Sequence, residues 1–562
     1  MNKLYTIIIL AIISCSNVAN AQVPNWAWAK GAGGTGLDVG KSITADVIGN
    51  VYVTGHYTSP SITFGTTTLT NAGVSNMFIV KYDASGTVLW AKGEGGTSYE
   101  YVNGIATDAS GNVYLTGSYE SPTITFGAFT LTNASQGQGK DMFIVKYDAW
   151  GTVLWAKGAG SSAWENGYSI TADAIGNVFV TGYFNSPSIT FGTTTLTNSG
   201  ASNSDMFIVK YDTSGTVLWA KGAGGAGTDF GHSTATDASG NVFVTGPYDS
   251  PTITFGAFTL TNASQGSDMF IVKYDTSGTV LWAKSAGGTG TDFGDGTATD
   301  ASGNVYVTGY YTSTSITFGT TTLTNAGTGT SDMFIVKYDA SGTVLWAKGE
   351  GGNFYDVFLG TATDASGNVY VTGSYDSSTI TFGAFTLTNT GTSNSDMFIV
   401  KYDASGTVLW AKGAGGTELN DVGIGITADV IGNVFVTGHY TSPSITFGTT
   451  TLTNATVTFN SYDVFIAKLD ATTGIEENAF DNGIIISPNP THDHITINYS
   501  NYFALDGYTV KITNSLSQTV FTTTIRQQQS YVDLSRWSNG IYFVHLIDAT
   551  NNIVEIKKII IQ

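Results

Sequence analysis

Three short words recur seven times each along this chain, and that repetition constrains the fold more than any other feature. Trp-Ala-Lys begins at Trp28, Trp90, Trp155, Trp219, Trp282, Trp346 and Trp410, at intervals of 62, 65, 64, 63, 64 and 64 residues. The word TAD or ATD, followed by x-x-Gly-Asn, places its aspartate at Asp46, Asp108, Asp173, Asp237, Asp300, Asp364 and Asp429. A third word, (M/V)FI(V/A)K, ends at Lys81, Lys146, Lys210, Lys273, Lys337, Lys401 and Lys468.

Each unit reads as four strands. In the second they are GIATD, NVYLTGSY, MFIVKYD and TVLWAKG, joined by short connections such as Ala109-Ser110-Gly111-Asn112 and Ala149-Trp150-Gly151. Glycine there supplies the positive φ of tight hairpins. MFIVKY is apolar on nearly both faces, as expected of a strand in a sheet packed between neighbouring sheets. The order of the words bears on closure. The chain starts with a Trp-Ala-Lys strand and its last unit, ending at Asp470, lacks one. Placing Trp28-Ala29-Lys30 beside the last unit completes both ends and removes free edges. The expected fold is therefore all-β: a seven-bladed β-propeller over residues 22–475, favoured over an open solenoid.

These words resemble the SBBP family of bacterial β-propeller repeats, through D-x-x-G-N-V-Y-V-T-G (Asp300 to Gly309) and FIVKYD-x-x-G-x-V-L-W-A. The resemblance implies architecture and an extracellular habitat, and no reaction. The chain departs from it by inserting ITFG-x-x-TLTN between the second and third strands of each unit. After a linker at 476–483, residues 484–562 carry Pro488-Asn489-Pro490, Gly540-Ile541-Tyr542 and Lys557-Lys558. That combination resembles the type A sorting domain of the type IX secretion system of Bacteroidetes. It implies a small β-sandwich, the secretion machinery as partner, and a secreted or surface-attached product. A sandwich that merely caps the propeller is the plainer alternative.

The start of the chain agrees with export. Lys3, the apolar run Leu4 to Ile13 and Ala19-Asn20-Ala21 have the form of a signal peptide over residues 1–21. The run is too short to span a bilayer, and no transmembrane segment is expected in the mature chain. The single cysteine, Cys15, lies inside it. Acylation there would make a lipoprotein, but Ile13-Ser14 fits that signal poorly. The mature chain then has no disulfide and no thiolate chemistry. A net charge of −20, from 42 acidic and 22 basic residues, excludes a nucleic-acid partner, which would need a basic face.

Two sets of repeated residues are candidates for a binding surface. One acid stands five residues before a fixed first-strand position in every unit: Asp38, Glu100, Glu165, Asp229, Asp292, Asp356 and Asp421. Converging on one mouth of the ring, they would attract a cation or a basic group, Ca²⁺ being the hard cation that all-oxygen ligands suit; turned into their own loops, they would be turn formers. The second set follows the second strand: Tyr57, Tyr119, Phe184, Tyr248, Tyr311, Tyr375 and Tyr440. These would either pack between blades or offer stacking faces to sugars. Their preceding neighbours vary: His56, Ser118, Tyr183, Pro247, Tyr310, Ser374 and His439.

Other motifs dissolve on inspection. Gly31 to Gly36 matches a dinucleotide fingerprint but no helix follows it, and Gly40-Lys41-Ser42 ends like a P-loop whose first glycine is out of register. His492 and His494 lack a third ligand. Trp164, His232 and Phe354 to Phe358 break the repeat's symmetry but are scattered. No hydrolase signature appears. The expectation is a non-enzymatic binding or structural protein for a glycan or protein ligand, with a carbohydrate-active enzyme using the ring acids as the alternative.

Overall fold

The computed structural model describes residues 23–471, apart from 201–202, 265, 328, 392–393 and 457–460. Beyond these it describes 484–487, 491, 493–499, 507–514, 518–548 and 553–561. The signal-peptide stretch with Cys15, the 476–483 linker, Pro488-Asn489-Pro490 and His492 lie outside the described residues. Every regular element among the described residues is a strand, and no helix is long and apolar enough to cross a membrane. The chain divides into two compact units, residues 1–471 and 472–562.

The first unit is built from four-stranded antiparallel sheets, seven of them among the described residues. The fifth repeat shows the plan: Asp292–Thr299, Val305–Tyr311, Asp332–Tyr338 and Val344–Glu350, paired in that order. The inserted ITFG-x-x-TLTN segment is a separate hairpin, here Ser315–Phe318 with Thr321–Thr324. Its Ile316 and Phe318 are buried beneath it and its threonines face outward. The first strands of successive sheets lie side by side, and the first strand of the last repeat, Asp421–Ala428, lies beside that of the first, Asp38–Ala45. This closed succession of four-stranded sheets is propeller-like. The strand Trp26–Ala32 pairs antiparallel with Asp463–Leu469 and so supplies the fourth strand of the last sheet.

The repeated words stitch one sheet to the next. Trp90 Nε1 and Lys81 Nζ, from neighbouring strands of one sheet, both donate to the carbonyl of Ala149, in a turn of the next sheet, at 3.2 and 3.1 Å. Trp28 does the same to Ala84 O across the closure. The lysines also reach the aspartates of the second word: Lys337 Nζ stands 3.1 Å from Asp300 Oδ2, and Asn304 Nδ2 donates to that oxygen at 2.7 Å. Glycine is required in the receiving turn, where Gly86 has φ +81° and a Cβ would lie 2.9 Å from the Trp28 ring. MFIVKY is buried along its whole length, as its apolar character on both faces demands.

In the second unit, Ile484–Ser487, His494–Tyr499 and Gln529–Asp533 form one sheet. Thr519–Thr524, Thr509–Asn514, Gly540–Ile547 and Ile553–Ile561 form another. The two sheets share one apolar core that includes Ile495, Ile497, Val510, Ile512, Val544 and Ile559. Tyr542 is buried, packs on Trp537 and donates through its hydroxyl to Ser538 O at 2.9 Å. Lys557 and Lys558 sit in the last strand opposite Val544 and Phe543. His494 stacks on Tyr531 and contacts Asp493.

Candidate functional site: the central channel

The seven acids do not form a mouth. Each is fully buried, at 0 % exposure, and each is held by its own neighbourhood. Asp38 Oδ2 accepts from Ser59 Oγ at 2.6 Å and Asp229 Oδ2 from Ser250 Oγ at 2.6 Å. Asp292, Asp356 and Asp421 repeat the contact with Ser313, Ser377 and Ser442 and accept a second bond from a glycine N–H of the preceding loop. Glu100 is held by Ser121 Oγ and Gly96 N, and Glu165 by the N–H groups of Ser161 and Ser186. Burial raises all seven carboxyls, to about 6 for Asp229 and about 7 for Asp421, against these hydrogen bonds. The expected electronegative ring thus gives way to seven separate loop locks. Among the described residues no group of three or more His, Cys, Asp or Glu is placed to hold a metal, so no Ca²⁺ cage is assembled there.

The aromatic series is corrected in the same way. Tyr57, Tyr119, Phe184, Tyr248, Tyr311, Tyr375 and Tyr440 are at most 1 % exposed. Each pairs across the ladder with an acid of the first set, as Tyr57 does with Asp38, and points into the sheet packing. No stacking face is left to them. Of the asymmetric residues, Trp164 is exposed and Phe358 is buried, while His232 lies in the channel.

The channel is lined by the first strands, and a bulge in those strands decides which side chains reach it. The register slips between Gly40 and Ser42, Val102 and Gly104, Gly167 and Ser169, Gly294 and Gly296, Phe358 and Gly360, and Gly423 and Gly425. In each case one residue is left over: Lys41, Asn103, Tyr168, Asp295, Leu359 and Ile424. The fourth repeat reaches the same arrangement differently. Pro247 has no N–H for the ladder, the first strand shortens to Ser233–Thr236, and His232 occupies the equivalent place. A bulge re-aims a side chain, and all seven of these line a cavity of about 250 Å³. The second-strand glycines make room for it. A Cβ on Gly55, Gly309 or Gly438 would lie 1.9, 1.8 or 1.9 Å from the carbonyl oxygen of Val39, Phe293 or Val422. The glycine of the V-T-G word is therefore the counterpart of the bulge.

Around the channel the order is Lys41, Asn103, Tyr168, His232, Asp295, Leu359 and Ile424, so five polar or aromatic residues face two aliphatic ones. Asn103 Nδ2 donates to Asn166 Oδ1 at 2.9 Å and to Gly167 O at 3.0 Å. The Tyr168 and His232 rings lie 5.1 Å apart, and His232 Nδ1 is 3.2 Å from Asp295 O and 3.5 Å from Asp295 Oδ1. Burial holds the His232 imidazole down at about 4. Burial, with the Lys41 cation nearby, holds His56 at about 3 and His439 at about 4. All three rings are neutral at physiological pH. Half-buried aromatics continue from Tyr168 toward the start of the first strands: Tyr168 packs on Tyr183 and Phe230, and Phe293 stacks on Tyr310 at 5.6 Å. Sequence reasoning noted His56, Tyr183 and Tyr310 as variable, and Lys41 only as an unrepeated remnant of a P-loop. The signal that finds the site is that lack of repetition itself.

Residues 486–562 match the family described as the secretion system C-terminal sorting domain. Residues 486–562 are a secretion sorting domain. Such a tail marks its carrier as cargo of the type IX secretion system, bound for the cell surface or the extracellular space. Across the whole chain, an uncharacterized WD repeat-containing protein of Acanthamoeba polyphaga mimivirus is 25% identical over 620 aligned residues, covering 94% of this chain and 44% of that protein. The chain thus spans less than half the length of this relative. Among solved structures, a fungal alcohol oxidase of the AA5 family in complex with copper superposes with a TM-score of 0.38 at 13% identity, covering 96% of this chain and all of the other. The WD40 domain of Neurospora crassa Pan2 gives 0.37 at 9% identity, over 77% and 89%. PorZ, a surface component of the type IX secretion system of Porphyromonas gingivalis, gives 0.17 at 10% identity, over 95% and 100%.

Proposed function

We propose that this chain is a secreted or surface-attached binding protein of the SBBP type. In this reading a signal peptide over residues 1–21 is removed and a seven-bladed propeller takes ligand at its central channel. The sorting domain folds as a small sandwich and is read by the type IX machinery of a Bacteroidetes cell. The observation that carries the binding role is the bulge position. The seven repeats share their strand words but hold seven different residues there: Lys41, Asn103, Tyr168, His232, Asp295, Leu359 and Ile424. A position that only had to close the ring would be as uniform as the second-strand glycine opposite it, which is glycine in every repeat, from Gly55 to Gly438. Aromatic faces beside the channel and polar groups within it are the mixture that small-ligand pockets use, and they suit a glycan or a protein end.

An array of glycans and proteins probed with the full-length chain tests this. Tyr168→Ala, His232→Ala and Lys41→Ala should each lower retention of whatever binds, with the melting temperature little changed. A partner retained equally by all three variants would move the binding site elsewhere.

A further inference from the structure

A lysine and an aspartate share the channel without meeting. Among the described residues no carboxylate lies within 4.0 Å of Lys41 Nζ. Asp295 is only 8 % exposed, lines the cavity, and its Oδ2 has no hydrogen-bond partner. The polar groups around them cannot neutralise either one. Asn103 is spent on the third repeat, and His56, His439 and His232 are uncharged. A buried charge without a direct partner keeps its desolvation cost and recovers little of it. Desolvation accordingly pushes the Lys41 ammonium down and the Asp295 carboxyl well up, each opposed by the other's distant charge. On the side of the ring between Asp295 and Lys41 stand Leu359 and Ile424, which present an apolar wall.

We propose that this pocket takes a small zwitterion, a free α-amino acid with an apolar side chain. Its carboxylate meets Lys41, its ammonium meets Asp295, and its side chain lies on Leu359 and Ile424. The inference rests on the channel-binding reading above and names the chemistry of that site. Three observations favour this ligand over a saccharide. The cavity, at about 250 Å³, is smaller than the roughly 300–1,000 Å³ of pockets that hold drug-sized molecules, so it admits one small molecule and not a chain of sugars. A neutral sugar would bring neither Lys41 nor Asp295 a group of opposite charge. An anionic one would be repelled by a chain of net charge −20, whereas a zwitterion carries no net charge.

Calorimetric titration of the full-length chain with the common L-amino acids tests the proposal, with L-leucine as reference and N-acetyl-L-leucine, L-leucinamide and glucose as controls. Saturable binding of an apolar amino acid is expected, weakened about tenfold or more by capping either end, since each cap removes one charge-assisted contact. Lys41→Met should erase the preference for leucine over leucinamide, and Asp295→Asn the preference over N-acetyl-leucine. Leu359→Phe, which keeps both charges and narrows the cavity, should weaken binding even if a charge variant fails to fold. Absence of binding by any amino acid, or binding indifferent to both caps, overturns the proposal. If a neutral saccharide binds instead and depends on Tyr168, the zwitterion is wrong and the channel remains the binding site. If channel substitutions alter no interaction on the array, the channel-binding reading falls as well.

Discussion

At the scale of single residues, this molecule keeps many carboxyl groups partly or wholly out of water. Burial raises Asp421, Glu94 and Glu350 to about 7 and Asp141, Asp229, Asp268, Asp332 and Asp463 to about 6. In the unfolded chain such groups titrate near 4. Between about pH 4 and 7 the folded state therefore holds more protons than the unfolded one, and stability falls as pH rises through that window. The melting temperature should be several degrees higher at pH 5 than at pH 8, and Asp421→Asn should reduce that difference; a curve rising toward pH 8 would contradict the burial argument. Gly309 makes the second residue-scale prediction. A Cβ there would strike Phe293 O at 1.8 Å and the Phe334 ring at 2.9 Å. Gly309→Ala should cost on the order of 3 kcal/mol, since backbone has to move, and it should disturb binding through Asp295 in the adjoining bulge. Chemical denaturation and the calorimetric titration read the two effects separately. The sequence showed this glycine as part of a word without showing its reason. The bulge that requires it is a matter of backbone register, and register is invisible in a list of residue types.

At the scale of the elements, the strands themselves were plain in the alternation and turn chemistry, and so was the pairing of Trp26–Ala32 with the last repeat, because the unmatched words at the two ends are complementary. Which side chains the strands present was harder to read. Alternation counted from Asp38 along the first strand changes phase at Lys41, where one residue is extra. Residue types alone left Tyr57 and its equivalents open between packing and a stacking face, and passed over the half-buried Phe230 and Phe293. The closing strand carries its own prediction. Without residues 23–32, Asp463–Leu469 becomes an exposed edge, and the tryptophan that donates to Ala84 is gone. A chain so truncated should melt earlier and self-associate through that edge. Size-exclusion chromatography with light scattering would show it; a monomer with unchanged melting would mean that closure contributes little.

At the scale of the whole molecule, the two units differ in kind: one is a propeller-like succession of sheets and the other carries the sorting domain. Removal of residues 486–562 should leave a folded first unit that stays inside the outer membrane of a cell equipped with type IX secretion, measured by protease accessibility on intact cells. Export without the tail would refute its role. The way the first unit ends also has a mechanical meaning. Asp470 N–H donates to Asn25 O, so the chain enters and leaves this unit side by side. The departing strand Asp463–Leu469 lies inside its sheet, bonded to Trp26–Ala32 on one flank and to Val434–Tyr440 on the other. When a tail fixed to a cell surface is pulled by flow, the load passes into a strand gripped from both sides. A ring that closed without an N-terminal strand would take the same force on an edge and could peel from its end.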